Sequence, residues 1–261
     1  MAKPPPSLLL CFDFDGTLVS HESEPPFHPA LGEMLREFRR RGAAIVINTG
    51  RGLLQTLDGI AQHNIFLTPD FVIARECEIF CPGWFKEWKD YGPWNRRARR
   101  AHDLFIQKHV HFLEDMRQFV KRETSAQFLM GDLGEVGVVA TSDAELDVIC
   151  ERIDVTSRQH PDVSYHRNGI YLRFSHADYS KGTALRELAR LLKMPRERIF
   201  AAGDNYNDLT MLDPAVAAHI ACPGNALLPV KNIVTQRGGY IASAPASEGM
   251  MEALQHFFLK K

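Results

Sequence analysis

LLLCFDFDGTL, residues 8–18, decides how the rest of the chain is read. Five apolar residues end abruptly at Asp13, with Asp15 and Gly16 just beyond. A continuous apolar run of this length fits a strand buried on both faces, as in a parallel sheet. At the end of such a strand, Asp13 and Asp15 are two apart, so both can face one site. Gly16 lets the chain turn away. Three more runs follow the same plan: AAIVIN (43–48) before Thr49, FVIA (71–74) before Arg75, and IFAAG (199–203) before Asp204. Between the first two, residues 29–41 carry Leu31, Met34, Leu35 and Phe38 at helical spacing, opening with Pro29 and stopping at Gly42. Strands alternating with helices predict βαβ units and an α/β fold, a doubly wound parallel sheet of the Rossmann type.

The middle of the chain breaks this rhythm. The spacing of Ala98, Ala101, Phe105, Phe112, Met116 and Phe119 predicts one long helix from Trp94 to about Lys121. Strand-like runs lie near 126–132 and 136–141, and Ser142 with Glu145 forms a capping-box signature for a helix to about Ile153. VSYHR (163–167) and IYLRF (170–174) flank Asn168-Gly169, a strong hairpin signal. Helix, strands, helix and hairpin make an α+β unit. Residues 83–177 are therefore expected to be a cap domain inserted into an α/β core formed by 1–82 and 178–261.

Four segments carry chemistry. They are DFDGTL (13–18), Thr49 in NTGR (48–51), Lys181 in SKGTAL (180–185), and GDNYND (203–208) with Asp204 and Asp208. Three sit at predicted C-terminal strand ends, where open α/β sheets bind ligands. Gathering Asp13, Asp15, Asp204 and Asp208 sets like charges together, each pair at 4 Å costing about 4 kcal/mol at an effective dielectric of 20. A hard divalent cation with oxygen ligands relieves that repulsion, and Mg2+ is the usual one beside phosphate. Lys181 opens a helix, where the macrodipole disfavours a cation by about 0.3–1 kcal/mol. A neighbouring phosphate and carboxylate would account for its placement.

Bulk properties narrow the classes. A composition of 45% hydrophobic and 24% charged residues is that of an ordinary globular chain. A net charge of -1 suggests no nucleic-acid partner, and no apolar run approaches the 18 or so residues of a membrane span. The N-terminal apolar run is too short for a signal peptide. Five scattered cysteines predict a reducing, cytoplasmic setting, and Cys77 with Cys81 lacks the second ligand pair of a zinc site.

In this order, the four motifs resemble those of the haloacid dehalogenase superfamily, in its phosphatase branch with two aspartates in the first motif. About ten residues separate Leu18 from Pro29, leaving no room for a cap there. The insertion of about 95 residues after the third strand resembles the large cap of Cof-like and sucrose-phosphatase-like members. The resemblance implies Asp13 as nucleophile and Asp15 as general acid and base. It implies Thr49, Gly50, Lys181 and Asn207 as phosphate-binding. Asp13, the backbone of Asp15, and Asp204 would bind Mg2+, with Asn207 and Asp208 in support. It also implies a Mg2+-dependent phosphomonoesterase acting through an aspartyl-phosphate, on a small phosphorylated metabolite such as a sugar phosphate. One departure is that Arg75-Glu76 stands where many Cof-like members have Asn-Gly.

Other features read mainly as structural. Trp84, Trp88, Tyr91 and Trp94 fit packing at the insertion's start, with sugar stacking the lesser reading. Arg96, Arg97, Arg99 and Arg100 fit a solvated helix face. His166, His176 and His219 lack ligand spacing, although His176 and Glu76 lie where cap and core should meet and are possible substrate contacts. The alternative functions are a phosphosugar mutase, told apart by its product, a receiver-like phosphoacceptor module, which needs neither Asp15 nor an insertion, and a catalytically silent binding protein.

Overall fold

The computed structural model describes residues 5–20, 22–65, 67–83, 87–130 and 136–259. The chain opens with β1 (Leu8–Phe12), α1 (Pro29–Arg40), β2 (Ala43–Asn48), α2 (Leu53–Gln62), β3 (Phe71–Ala74), β4 (Glu78–Pro82) and β5 (Trp88–Asp90). Its middle forms α3 (Trp94–Lys108), α4 (Val110–Glu123), β6 (Gln127–Met130), β7 (Val136–Val139), α5 (Asp143–Thr156), β8 (Val163–Asn168) and β9 (Tyr171–His176). It returns through α6 (Lys181–Leu192), β10 (Ile199–Ala202), β11 (His219–Cys222), α7 (Leu228–Gln236), β12 (Tyr240–Ile241) and α8 (Ala246–Phe258). Two units emerge from the contacts within the chain: Met1–Asn95 with Lys181–Lys261, and Arg96–Ser180.

The first unit is built on a sheet in the order β12-β11-β10-β1-β2-β3-β4-β5. Pairing is parallel from β12 to β3 and antiparallel through β4 and β5. All six residues of β2 are buried, as expected for a strand covered on both faces. Side-chain alternation sorts the core into two layers. Leu9 and Cys11 of β1 join Ala184, Leu185 and Leu188 of α6 and Val230 and Val234 of α7. Leu10 and Phe12 join Leu31, Leu35 and Phe38 of α1 and Met250, Ala253 and Leu254 of α8. Strand order reverses between β1 and β10, the switch point at which a doubly wound sheet opens a crevice beyond its carboxyl ends. Asp13 and Asp204 follow those two strands.

The second unit is an antiparallel sheet, β6-β7-β9-β8, with helices on one face. Along β9, Leu172 and Phe174 are buried while Tyr171 is exposed. Leu172 and Phe174 meet Phe105, Phe112 and Met116 of the helices α3 and α4, and Leu146, Ile149 and Ile153 of α5. Gly137 is required in β7 because a Cβ there would lie 2.5 Å from the Leu172 carbonyl oxygen.

Several local expectations need correction. The long helix is two, interrupted at His109, whose ψ of 22° departs from helical geometry. The hairpin register pairs Asn168 with Tyr171, so Gly169 and Ile170 form the loop instead of Asn168 and Gly169. Glycine first, with φ +54°, follows the type II′ preference. Ser142 caps α5 through the Glu145 N–H, but the Glu145 carboxylate turns to the Thr141 and Ser125 N–H groups. The strand expected near 126–132 spans Gln127–Met130, and its last two residues, like Trp84, lie outside the described residues.

The junctions also shift. The sequence places them at 82/83 and 177/178, whereas the units meet at Asn95/Arg96 and Ser180/Lys181. The tryptophan-rich stretch extends the core sheet as β5, paired to β4. Buried Asn95 then pairs its side chain with the β4 backbone. Its Oδ1 accepts from Ile79 N at 2.8 Å, and its Nδ2 donates to Ile79 O at 2.7 Å. Among the described residues, no helix is long and apolar enough to cross a membrane.

Candidate active site

The carboxyl ends of β1, β2, β3 and β10, with the first turn of α6, bring together the segments singled out in the sequence. Lys181, the first residue of α6, is fully buried. Its Nζ donates to Asp13 Oδ1 at 2.6 Å and to Asp208 Oδ1 at 2.6 Å. The other Asp208 oxygen accepts from the backbone N–H groups of Asp204 and Asn205, both at 2.9 Å. Asp208 thus ties the ammonium to the loop after β10. Thr17, buried in the turn after β1, donates its hydroxyl to Asp204 Oδ1 at 2.7 Å. Gly16 has φ +77°, and a Cβ there would lie 2.3 Å from Asp204 Oδ2. The glycine is needed for its backbone angle and for the close approach of the two loops.

Electrostatics follow from burial. One carboxylate oxygen from each of Asp13, Asp204 and Asp208 lies within 4.8 Å of the others. Burial pushes the Asp13 pKa well above the usual carboxylate range, with Lys181 opposing and Asp208 and Asp204 adding to the rise. Burial and the Asp208 charge push Asp204 up to about 7, eased by the Thr17 hydroxyl. Burial works against the charge of Lys181, but Asp13, Asp208 and Glu76 outweigh it and hold its pKa above the ordinary lysine value. One buried ammonium therefore faces a surplus of carboxylates. A hard divalent cation relieves such a surplus, and this all-oxygen donor set suits one.

Thr49 is buried at the end of β2, its N–H donating to Ile73 O and its Oγ1 accepting from Arg51 N at 3.1 Å. Glu76 is buried, and its Oε1 accepts from Asn207 Nδ2 at 2.8 Å. Arg75 and Glu76 both have positive φ, 48° and 66°, in the turn from β3 to β4. The turn keeps its left-handed geometry without the Asn-Gly that adopts it at least strain, and such strain gathers at functional sites. A Cβ on Gly50 would touch Glu76 Oε1 at 3.4 Å, so that glycine lies against the buried carboxylate. His176 belongs to the second unit, where its Nδ1 accepts from Asp178 N at 3.2 Å. The Asp15 side chain is not in the carboxylate cluster. Arg51 holds it, with Nε 2.7 Å from Oδ2 and a terminal nitrogen 2.6 Å from Oδ1.

Arg51, Thr17 and Asn48 escaped the sequence reading as site residues. All three stand inside quoted motifs, beside residues with clearer chemistry. Asn48 is fully buried and donates to the backbone oxygen of Lys181 at 3.0 Å, fixing where α6 begins. Asn225 had no such signal, yet it donates to Gly16 O at 2.8 Å and accepts from Ala246 N at 2.8 Å.

A parallel sheet with paired aspartates at its switch point and a lysine at a helix start defines a class. A family profile described as haloacid dehalogenase-like hydrolase matches residues 101–247, more than half of the chain. The chain belongs to the haloacid dehalogenase-like hydrolases. It is 22% identical to a 5-amino-6-(5-phospho-D-ribitylamino)uracil phosphatase of Bacillus subtilis, over 96% of both chains. A phosphoglycolate phosphatase of Methanothrix thermoacetophila is 31% identical over 88 residues, 34% of this chain and 37% of that relative. Among solved structures, the sucrose-phosphatase of Synechocystis superposes with a TM-score of 0.75 at 19% identity, covering 97% of this chain and 98% of that one.

Proposed function

We propose that this hydrolase is a phosphomonoesterase whose nucleophile is Asp13, acting through an aspartyl-phosphate on a small phosphorylated metabolite, with sugar phosphates the first candidates. The observation that carries this reading is the position of Lys181, whose one ammonium joins Asp13 to Asp208 at 2.6 Å each. An ammonium beside a nucleophilic carboxylate is placed to meet the oxygens of an incoming phosphoryl group. The phosphatase names of the relatives support the same reaction class, and the sugar phosphatase among the neighbours supports the substrate class.

In this mechanism a carboxylate oxygen of Asp13 attacks phosphorus, and the bond from phosphorus to the substrate oxygen breaks. Asp15 gives a proton to that departing oxygen. Water then attacks the phosphorus of the aspartyl-phosphate, Asp15 takes its proton, and Asp13 is released with inorganic phosphate. Lys181 and the Thr49 hydroxyl hold phosphoryl oxygens, with the Gly50 N–H and the Asn207 amide beside them. Asp13, Asp204 and the Asp15 backbone carbonyl would hold Mg2+. Asp208, with both oxygens already in hydrogen bonds, keeps Lys181 and the loop after β10 in place. When bound, Mg2+ supplies charge neutralisation for the phosphoryl group. Arg96–Ser180 would serve as the cap that limits water and selects the substrate.

The test is phosphate release from a panel of sugar, polyol and nucleoside phosphates, with Mg2+ and with chelator. Release is expected with Mg2+ only, and Asp13→Asn is expected to abolish it while leaving the fold intact. Substantial turnover by Asp13→Asn would remove Asp13 from its role. An isomerised sugar phosphate with no free phosphate would point to a mutase.

A further inference from the structure

We propose that Arg51 is a positioning residue: its guanidinium fixes the carboxyl group of Asp15 in the orientation from which that group exchanges its proton. This rests on the phosphomonoesterase reading above. The backbone of Arg51 is clamped on both sides, its N–H on Thr49 Oγ1 at 3.1 Å and its carbonyl taking the Arg75 N–H at 2.9 Å. Its side chain grips Asp15 through two parallel bonds, 2.7 and 2.6 Å long. A two-pronged grip fixes the plane of a carboxylate as well as its place, which a lysine cannot do. The guanidinium carbon lies 5.0 Å from the centre of the Phe14 ring, between the two aspartates in sequence. A Cβ on Gly59 of α2 would come 2.8 Å from Arg51 Nη1 and 3.0 Å from a Phe14 ring carbon, so α2 approaches both closely. Ring, glycine and carboxylate together make a slot shaped for this arginine.

A paired carboxylate is not thereby disabled, since its two oxygens offer about four lone-pair positions in all. One oxygen can stay on Arg51 while facing the substrate. In the first half-reaction Asp15 transfers its proton as the ester P–O bond breaks. In the second it accepts a proton as the water oxygen bonds to phosphorus. A side chain free to rotate would spend little time in line for either transfer, so holding it still belongs with catalysis by orientation.

Leaving-group dependence separates this role from a structural one. An alkoxide departs poorly without a proton, whereas p-nitrophenolate departs well unaided. The kcat/KM, which covers the steps through departure, is measured for the fastest alkyl phosphate of the panel and for p-nitrophenyl phosphate. For Arg51→Met, a loss of about 100-fold is expected on the alkyl ester, at the lower end of what proton transfer contributes, against about tenfold or less on the aryl ester. Arg51→Lys, which keeps charge but loses the fork, and Gly59→Ala, which displaces the guanidinium without removing it, should show the same skew to a smaller extent. If Arg51→Met does not fold, those two variants decide. Equal losses on both esters, or no loss on either, would overturn the role of Arg51 while leaving the phosphomonoesterase intact. A parent protein inert on both esters would overturn the underlying reading instead.

Discussion

Lys181 shows what a single residue contributes here. It is buried between Asp13 and Asp208, and each of the three would be costly to bury alone. Removing one member of such a cluster strands the others. Lys181→Met is therefore expected to lose activity and about 3–5 kcal/mol of stability, read by urea denaturation without Mg2+. Added Mg2+ should recover part of the stability but not the turnover, because the cation offsets carboxylate charge without restoring the Lys181 contact. Much at this scale was legible, because Asp13, Asp15, Thr49 and Asp204 stand just after apolar runs and Lys181 stands at a helix start. Asp208, the last residue of a short turn after β10, stood out only through the GDNYND segment. Arg51 and Thr17 were not legible as site residues, since a side chain's partner lies elsewhere in the chain. Nothing in NTGR says that its arginine reaches back to Asp15.

Elements inherit their limits from local physics. Apolar runs of four to six residues marked β1, β2, β3 and β10 because burial on both faces leaves no alternation to confuse them. The hairpin register escaped by one residue, since Asn168-Gly169 and Gly169-Ile170 are both acceptable two-residue loops and the local sequence does not choose between them. In the second unit, Asp162 lies 2.7 Å from Lys108 Nζ and 3.0 Å from His109 Nε2, joining α3 to the turn before β8. Burial alone would raise its pKa, but His109 and Lys108 hold it below the ordinary aspartate value of 3.8. A depressed carboxyl contributes stability above its ordinary pKa, and that contribution fades as pH falls towards the folded value. Asp162→Asn should thus lower the melting temperature at pH 7, by an amount reflecting about 1 kcal/mol, and the deficit should shrink as pH drops below 3.8. Ser142→Ala removes the α5 N-cap and should cost about 1 kcal/mol with little effect on kcat.

At the scale of the whole molecule, each of the two units has hydrophobic packing of its own, and the carboxylate cluster belongs to the first. A ligand that binds only the folded state stabilises by mass action, about 2.7 kcal/mol at a hundred times its dissociation constant. Mg2+ should raise the melting temperature of the unit that contains Asp13, and Asp204→Asn should abolish the shift, both followed by calorimetry. The fold class was readable from alternation of strand and helix runs, but the junctions were not. A three-residue strand such as β5 is too short to show periodicity, and the hold of Asn95 on β4 is a tertiary contact. That hold carries a consequence for how such proteins diversify. The last core residue before the insertion, Asn95, and the first after it, Lys181, are both buried and hydrogen-bonded posts. A foreign segment spliced between them would start and finish on fixed ground, so the intervening cassette can be exchanged while the reaction chemistry stays where it is.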